Sequence, residues 1–421
     1  MILTEYMKKH RGVPELLRTA SPANRTAGTV VTASSGLTRR LTMRLFRTIG
    51  SGDLKSLRIR IDNMIIKSNS TVGGPGNGWT IVRAAIETNS QTKQAFWGGA
   101  ASRWVEDGEY EIYSDKLLPS QFGLSVFPKN SGLVLKLDLE VTGGSIPAMD
   151  NTDVGQTEGK YYDPAVITCT NFFGTGVLAF SGGTPSNVYG FPGILVGEYA
   201  AGDAPCWAMT GDSIIMQGGG ASYAYRAITN DATQRISAMA MGRPGGASTI
   251  QQQYPEYFGS LIKLCNRCLD EYGTNEVGSG TLSSMQARWT ANWTWLRSVA
   301  RVHPNALPFK ILRPSLLVRT SGDTASPSTQ TVLTPWNAGQ LVDNLYDWAV
   351  TQQGVGVGPD LVCDHTVGPF GTLRAASTGR GTTNSDWYKW AASKTSDNLH
   401  PLGSASNIVG DNLRPYIDMI G

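Results

Sequence analysis

Four short motifs carry the residues best suited to chemistry. Thr210-Gly211-Asp212-Ser213-Ile214 presents a serine hydroxyl on a turn that glycine lets the chain make tightly. Arg243-Pro244-Gly245-Gly246-Ala247-Ser248 holds a glycine pair, where a backbone N–H can approach a developing oxyanion with no Cβ in the way. Gly273-Thr274-Asn275-Glu276 offers a side-chain amide donor. Asp397-Asn398-Leu399-His400-Pro401 sets a carboxylate three residues before an imidazole, so that it can fold back and hold Nδ1–H while Nε2 stays free as a base. Each motif also has a plain reading. Gly-Asp-Ser occurs in ordinary glycine-rich loops, a glycine pair in strand-to-helix turns, Asn in turns, and a lone His beside Pro in structural roles.

Other features carry less chemistry. Cys265-Asn266-Arg267-Cys268 has a metal-like spacing, but zinc takes four ligands and neither a second pair nor a nearby His completes the set. In Cys363-Asp364-His365, thiol and imidazole two apart share a strand face without a triad. Gly218-Gly219-Gly220 lacks the Gly-Lys-Ser/Thr of a phosphate loop and reads as a segment that keeps a cleft mouth open. Of the eleven tryptophans, Trp289, Trp293 and Trp348 fall on apolar helical faces and read as core. Trp387 and Trp390, in a polar loop shortly before Asp397, are together with Gly246 the expected substrate contacts.

The elements that must position the motifs fall into two regions. Over 28–150, Leu57-Arg58-Ile59-Arg60-Ile61 and Leu133-Val134-Leu135-Lys136-Leu137-Asp138-Leu139 alternate with period two, broken by Gly73-Gly74-Pro75-Gly76-Asn77-Gly78 and Pro128-Lys129-Asn130-Ser131-Gly132. This predicts an antiparallel, jelly-roll-like β-sandwich. A Gly/Ser/Asn/Thr-rich stretch at about 143–160 reads as the boundary. Over 160–421, strands at 205–210, 235–241, 267–272, 308–313 and 359–363 alternate with helical periods such as Met285, Trp289, Trp293, Leu296 and Leu341, Leu345, Trp348, Ala349. Residues 402–413 read as a closing helix. The alternation predicts an α/β domain, a parallel sheet covered by helices, with the first three motifs at strand exits, where open sheets bind ligands.

Length and composition agree. At 421 residues the chain exceeds one small module, and 49 glycines, about 12% against a usual ~7%, favour turn-rich architecture over a helical bundle. A net charge of +3 with 16% charged residues argues against a nucleic-acid partner. No apolar run is long enough for a membrane span or a signal-peptide core, and five scattered cysteines do not form a disulfide framework. Residues 1–47 hold nine Lys or Arg against two Glu, so 1–27 reads as a basic leader, either a solvated arm or an attachment to a partner protein.

In this order the four motifs resemble the blocks of the SGNH, or GDSL-type, hydrolase superfamily, over about 185–421. Glu276 departs from the Asp usual there. The resemblance implies a flavodoxin-like parallel sheet and a serine esterase without metal or organic cofactor, with Ser213 as nucleophile, His400 as general base and acid, and Asp397 orienting His400. Ser213 N–H, Gly245 N–H and the Asn275 amide would form the oxyanion hole, with Gly246 open as the alternative to Gly245. Within 28–150, the stretches Leu57 to Asn63, Tyr113-Ser114-Asp115-Lys116-Leu117 and Phe122 to Val126 resemble the β-sandwich that precedes the hydrolase in some bacterial and phage esterases, including two-domain carbohydrate deacetylases. The expectation is a carbohydrate O-acetylesterase acting on an acylated polysaccharide, in a phage virion or otherwise the cytoplasm, its N-terminal region touching other virion proteins. A structural or receptor-binding virion protein on the same scaffold is the alternative.

Overall fold

The computed structural model describes residues 15–421 apart from 22–23, 68–70, 149–156, 188–190, 192, 217–221, 230–234, 301 and 376–384. A parallel sheet runs in the spatial order Asn24–Arg25, Ser237–Ala240, Cys206–Thr210, Arg267–Asp270, Lys310–Pro314, Leu361–Cys363. Without the two-residue edge strand, the order by sequence is 2-1-3-4-5, the flavodoxin-like winding. Alternation along these strands sends side chains to opposite faces. Ala208, Met239, Cys268 and Ile311 pack with helices Pro255–Ile262, Leu282–Val299 and Leu341–Thr351. Trp207, Met209, Ala238, Leu269 and Leu312 pack with helices Tyr223–Thr229 and Gly403–Ile420. Both faces are covered, which is why the strands are short and apolar. Helix Leu282–Val299 starts at Thr281, whose hydroxyl accepts the Ser284 N–H at 3.2 Å while Ser284 Oγ accepts the Thr281 N–H at 2.9 Å.

The N-terminal region is antiparallel. Thr38–Thr48 pairs along its whole length with Gly132–Thr142, Leu41 opposite Leu139 and Leu45 opposite Leu135. Trp79–Thr88 extends that sheet on one side and Thr157–Tyr162 on the other. A second sheet holds Leu54–Ile61 beside Ile194–Tyr199. Leu41, Met43 and Leu45 of the first sheet and Leu57, Ile59 and Ile61 of the second share one core. No helix among the described residues is long and apolar enough to cross a membrane.

Strand pairing corrects the expected boundary. Thr157–Tyr162 pairs with Thr38–Thr48, and Ile194–Tyr199 with Leu54–Ile61, so the antiparallel region runs on to about Tyr199 rather than ending near 150. The composition shift at 143–160 lies inside the region: Ser145–Ala148 pairs with Thr29–Thr32 and Thr157–Tyr162 with Thr38–Thr48, while residues 149–156 lie outside the described residues. The described part of the leader is no arm. Arg18–Thr19 pairs with Val196–Gly197, and Asn24–Arg25 joins the parallel sheet. Arg18 is fully buried because Asp203 pairs with it at 2.8 Å and the Lys263 and Cys265 carbonyls accept its guanidinium N–H groups. Residues 1–14 lie outside the described residues.

Candidate active site

The turn after Cys206–Thr210 sets Ser213 at the start of a single helical turn, Ser213–Met216. Asp212 is buried beneath it, and its Oδ1 accepts the Ile214 N–H at 2.9 Å, which shapes the bend. A Cβ at Gly211 would lie 2.6 Å from Oε2 and 3.1 Å from Cβ of the buried Glu271, so a larger residue there would have to displace that side chain. Burial pushes the Asp212 carboxyl up to about 7, against the Ile214 N–H bond that favours its ionised form. Burial, followed by the charge of Asp212, likewise lifts Glu271 far above the usual carboxylate range.

Three further loops converge on this turn. Gly245 takes φ +72° with open space where a Cβ would be, so its glycine serves the backbone conformation and leaves the surface clear. The Gly246 N–H is spent inside the turn, on the Arg243 carbonyl at 2.9 Å. A Cβ at Gly246 would touch the Gly211 carbonyl at 3.2 Å, so the two loops abut. Asn275 is exposed and its Nδ2 donates to the Gly246 carbonyl at 3.2 Å, bringing its amide against the glycine loop. Ser248 and Glu276 fasten the same loops from beneath, both buried: Ser248 Oγ donates to Glu276 Oε1 at 2.7 Å and Ser248 N–H to Oε2 at 3.2 Å.

The Asp397–His400 turn closes the site. His400 Nε2 lies 2.9 Å from Ser213 Oγ, and its Nδ1 lies 2.6 Å from Asp397 Oδ2. Asp397 Oδ1 also accepts the N–H groups of His400 at 2.7 Å and Leu399 at 3.0 Å. Partial burial works to raise the Asp397 carboxyl, but the bonds from His400 and Leu399 outweigh it and hold the group at about 2. Asp397 is thus ionised where His400 needs an acceptor. Ser213, Gly245, Gly246, Asn275, Asp397 and His400, scattered over 188 positions, meet at one sheet edge.

Two of the expected substrate contacts are elsewhere. Trp390 is fully buried and Trp387 nearly so, which withdraws both rings from any ligand. Trp390 Nε1–H donates to the Asn398 carbonyl at 3.0 Å, inside the Asp397–His400 turn. Its place in a polar loop reads as exposure; the loop folds over it because Gln330 bonds both backbone groups of Trp390, at 2.9 and 3.2 Å. Trp289 and Trp293 are core, and Trp348 stacks on Trp293 with centroids 5.5 Å apart. Cys265 and Cys268 are buried and free, and among the described residues no group of three or more His, Cys, Asp or Glu is arranged to hold a metal ion. His365 is buried against Tyr223, and burial lowers it to about 4. Gly218-Gly219-Gly220 lies outside the described residues.

The motif reading missed Arg313. Its guanidinium lies 3.7 Å from the centroid of the Trp289 ring and donates to the Asp270 and Tyr272 carbonyls at 2.7 and 2.6 Å, fixing the strand end that leads into Asn275. An arginine inside the apolar run Lys310–Pro314 was the available signal.

The parallel sheet, the order of the four motifs and the contacts around Ser213 together have the form of an SGNH, or GDSL-type, hydrolase. No known protein-family profile matches the chain, and no curated protein matches it significantly. Solved structures do. A lipase from a goat rumen metagenome is 12% identical over 50% of this chain and 97% of its own, with a TM-score of 0.33. A carbohydrate esterase family 3 protein from Talaromyces cellulolyticus is 13% identical over 51% and 97%, TM-score 0.32. A GDSL-like lipase from Bacteroides ovatus is 11% identical over 92% and 85%, TM-score 0.35.

Proposed function

We propose that the protein is a serine ester hydrolase working through an acyl-enzyme, and that its substrate is an O-acetylated polysaccharide. The observation that carries the reading is the placement of His400 between Ser213 at 2.9 Å and Asp397 at 2.6 Å. His400 Nε2 takes the Ser213 proton as Oγ attacks the acyl carbonyl. The oxyanion that forms is met by the N–H groups of Ser213 and Gly245 and by the Asn275 amide. Gly245 is preferred to Gly246, whose N–H already serves the Arg243 carbonyl. His400 returns the proton to the departing alkoxide, and the acyl-enzyme is hydrolysed by water through the same exchange. Asp397 holds the imidazole in the required tautomer and balances its charge.

An exposed Asn275 and Gly245 and a half-exposed Asp397 favour a small acyl group on a bulky carrier over a long chain swallowed in a tunnel. The antiparallel region would then be an accessory sandwich that holds the polymer. A virion scaffold without chemistry would give His400 no reason to bridge Ser213 and Asp397.

The test is hydrolysis of an activated acetyl ester and labelling by a fluorophosphonate, with Ser213→Ala abolishing both while the fold persists. Acetate release across a panel of acetylated polysaccharides then identifies the carrier. Undiminished turnover in Ser213→Ala would remove the assignment.

A further inference from the structure

Asp397 and His400 lie near the surface, and the residue between them that is held hardest is Asn398. It adopts φ +64°, a left-handed conformation that Asn tolerates better than most residues. Four hydrogen bonds pin it. Thr320 Oγ1 donates to its Oδ1 at 2.9 Å and the Thr320 N–H to its carbonyl at 3.2 Å. Its own Nδ2 donates to the Gly322 carbonyl at 3.1 Å, and Trp390 Nε1 donates to its carbonyl at 3.0 Å.

These partners form one device. Thr320–Ser321 pairs antiparallel with Thr331–Val332, and Gln330, just before that return strand, grips the Trp390 backbone. The Ser393 N–H donates to the Thr324 carbonyl at 2.9 Å, tying the hairpin tip to the same loop. The hairpin therefore holds the Asp397–His400 turn from both sides, through Asn398 and through Trp390.

We propose that the 320–332 hairpin is a positioning clamp, acting through Asn398, that fixes the Asp397–His400 pair against Ser213. The inference rests on the serine-hydrolase reading. Asn398 touches no reacting atom; it places the turn whose imidazole must lie within hydrogen-bond reach of Ser213 Oγ. Misplacement of reacting groups by about 1 Å costs on the order of 10²-fold in rate, so a loosened turn would show in kcat rather than in substrate affinity.

The test uses the full chain and an activated acetyl ester. Asn398→Gly permits the same positive φ and removes both side-chain bonds; Trp390→Phe keeps an aromatic side chain, smaller than the indole, and removes one donor. Asn398→Gly is expected to lower kcat by about 10–100-fold with KM nearly unchanged, and Trp390→Phe to do so more weakly. A second readout does not depend on turnover: the low-field proton resonance of the His400–Asp397 bond, assigned by its loss in His400→Ala, should weaken in both variants.

Should Asn398→Gly fail to fold, Trp390→Phe carries both readouts. Parental kcat and an unchanged resonance would overturn the clamp, as would a lower melting temperature with both values intact where the variant is folded. If the parent hydrolyses no ester, the functional reading falls; the resonance still decides whether the hairpin positions His400.

Discussion

Ser248 Oγ and Glu276 Oε1 are 2.7 Å apart, in a buried bond that ties the loop of Gly245 to the loop of Asn275. Both residues are buried, yet Gly245 and Asn275, two of the three proposed oxyanion donors, sit on segments this bond holds together. Glu276→Ala would leave the Ser248 hydroxyl and N–H without acceptors, at a cost of about 1–3 kcal/mol. The expected result is a lower melting temperature together with a lower kcat on a small ester. Unaltered kcat in the folded variant would show that the loops keep their spacing without the carboxylate.

Asn275→Ala addresses the donor itself. Removing one preorganised oxyanion donor costs about 10²–10³ in turnover, roughly 2.7–4 kcal/mol. Because the bond strengthens only as the oxyanion forms, kcat should fall with KM nearly constant. A raised KM at parental kcat would make Asn275 a ground-state binding residue.

Asp212 links the site to pH. The carboxyl titrates at an ordinary 3.8 when unfolded and at about 7 when folded, so the folded state binds more protons between these values. A raised folded value contributes stability that is complete below the unfolded value and lost as pH rises through the folded one. Glu271 is shifted in the same direction. His365, which burial lowers to about 4, contributes the opposite slope over much of the same range. The Asp212 contribution is therefore read as a decline from about pH 4 to about 7 in the melting temperature of the parent relative to Asp212→Asn. Asp212→Asn keeps an acceptor for the Ile214 N–H, and its melting temperature should fall less, or rise more, over that range than the parent's. A slope identical in the variant would assign the effect to other groups.

The corrected boundary sets the behaviour of fragments. A chain beginning at Thr152 would present Thr157–Tyr162 and Ile194–Tyr199 without Thr38–Thr48 and Leu54–Ile61, leaving two strand edges open. It should be insoluble or unfolded by circular dichroism. A soluble, cooperatively melting fragment would show that those pairings are dispensable.

Local pattern made much of this legible. Period-two runs marked strands of the antiparallel region, strand candidates alternating with helical periods marked the parallel sheet, and Met285, Trp289, Trp293 and Leu296 marked a helix with its buried stripe. The serine, glycine, amide and imidazole motifs singled out loops that do meet. What stayed hidden depends on pairing across long separations. Arg18 reads as a surface charge because its partner, Asp203, lies 185 residues away. Trp390 reads as a surface ring because Gln330 and Asn398 cover it from other segments. Asn24–Arg25 has too few residues, and no apolar pattern, to read as a strand at all.

That short edge strand bears on how the protein is made. Asn24 lies opposite Met239, some 215 residues downstream, so a nascent chain elongating at 5–20 residues per second waits roughly 10–40 s before the partner exists. The antiparallel region meanwhile lacks Ile194–Tyr199, which emerges late as well. The antiparallel region can close once Ile194–Tyr199 emerges, while Asn24–Arg25 must wait for the later strands. Because the chain contributes to the parallel sheet both before and after it builds most of the antiparallel region, the two regions are joined by more than one chain crossing rather than by a single linker.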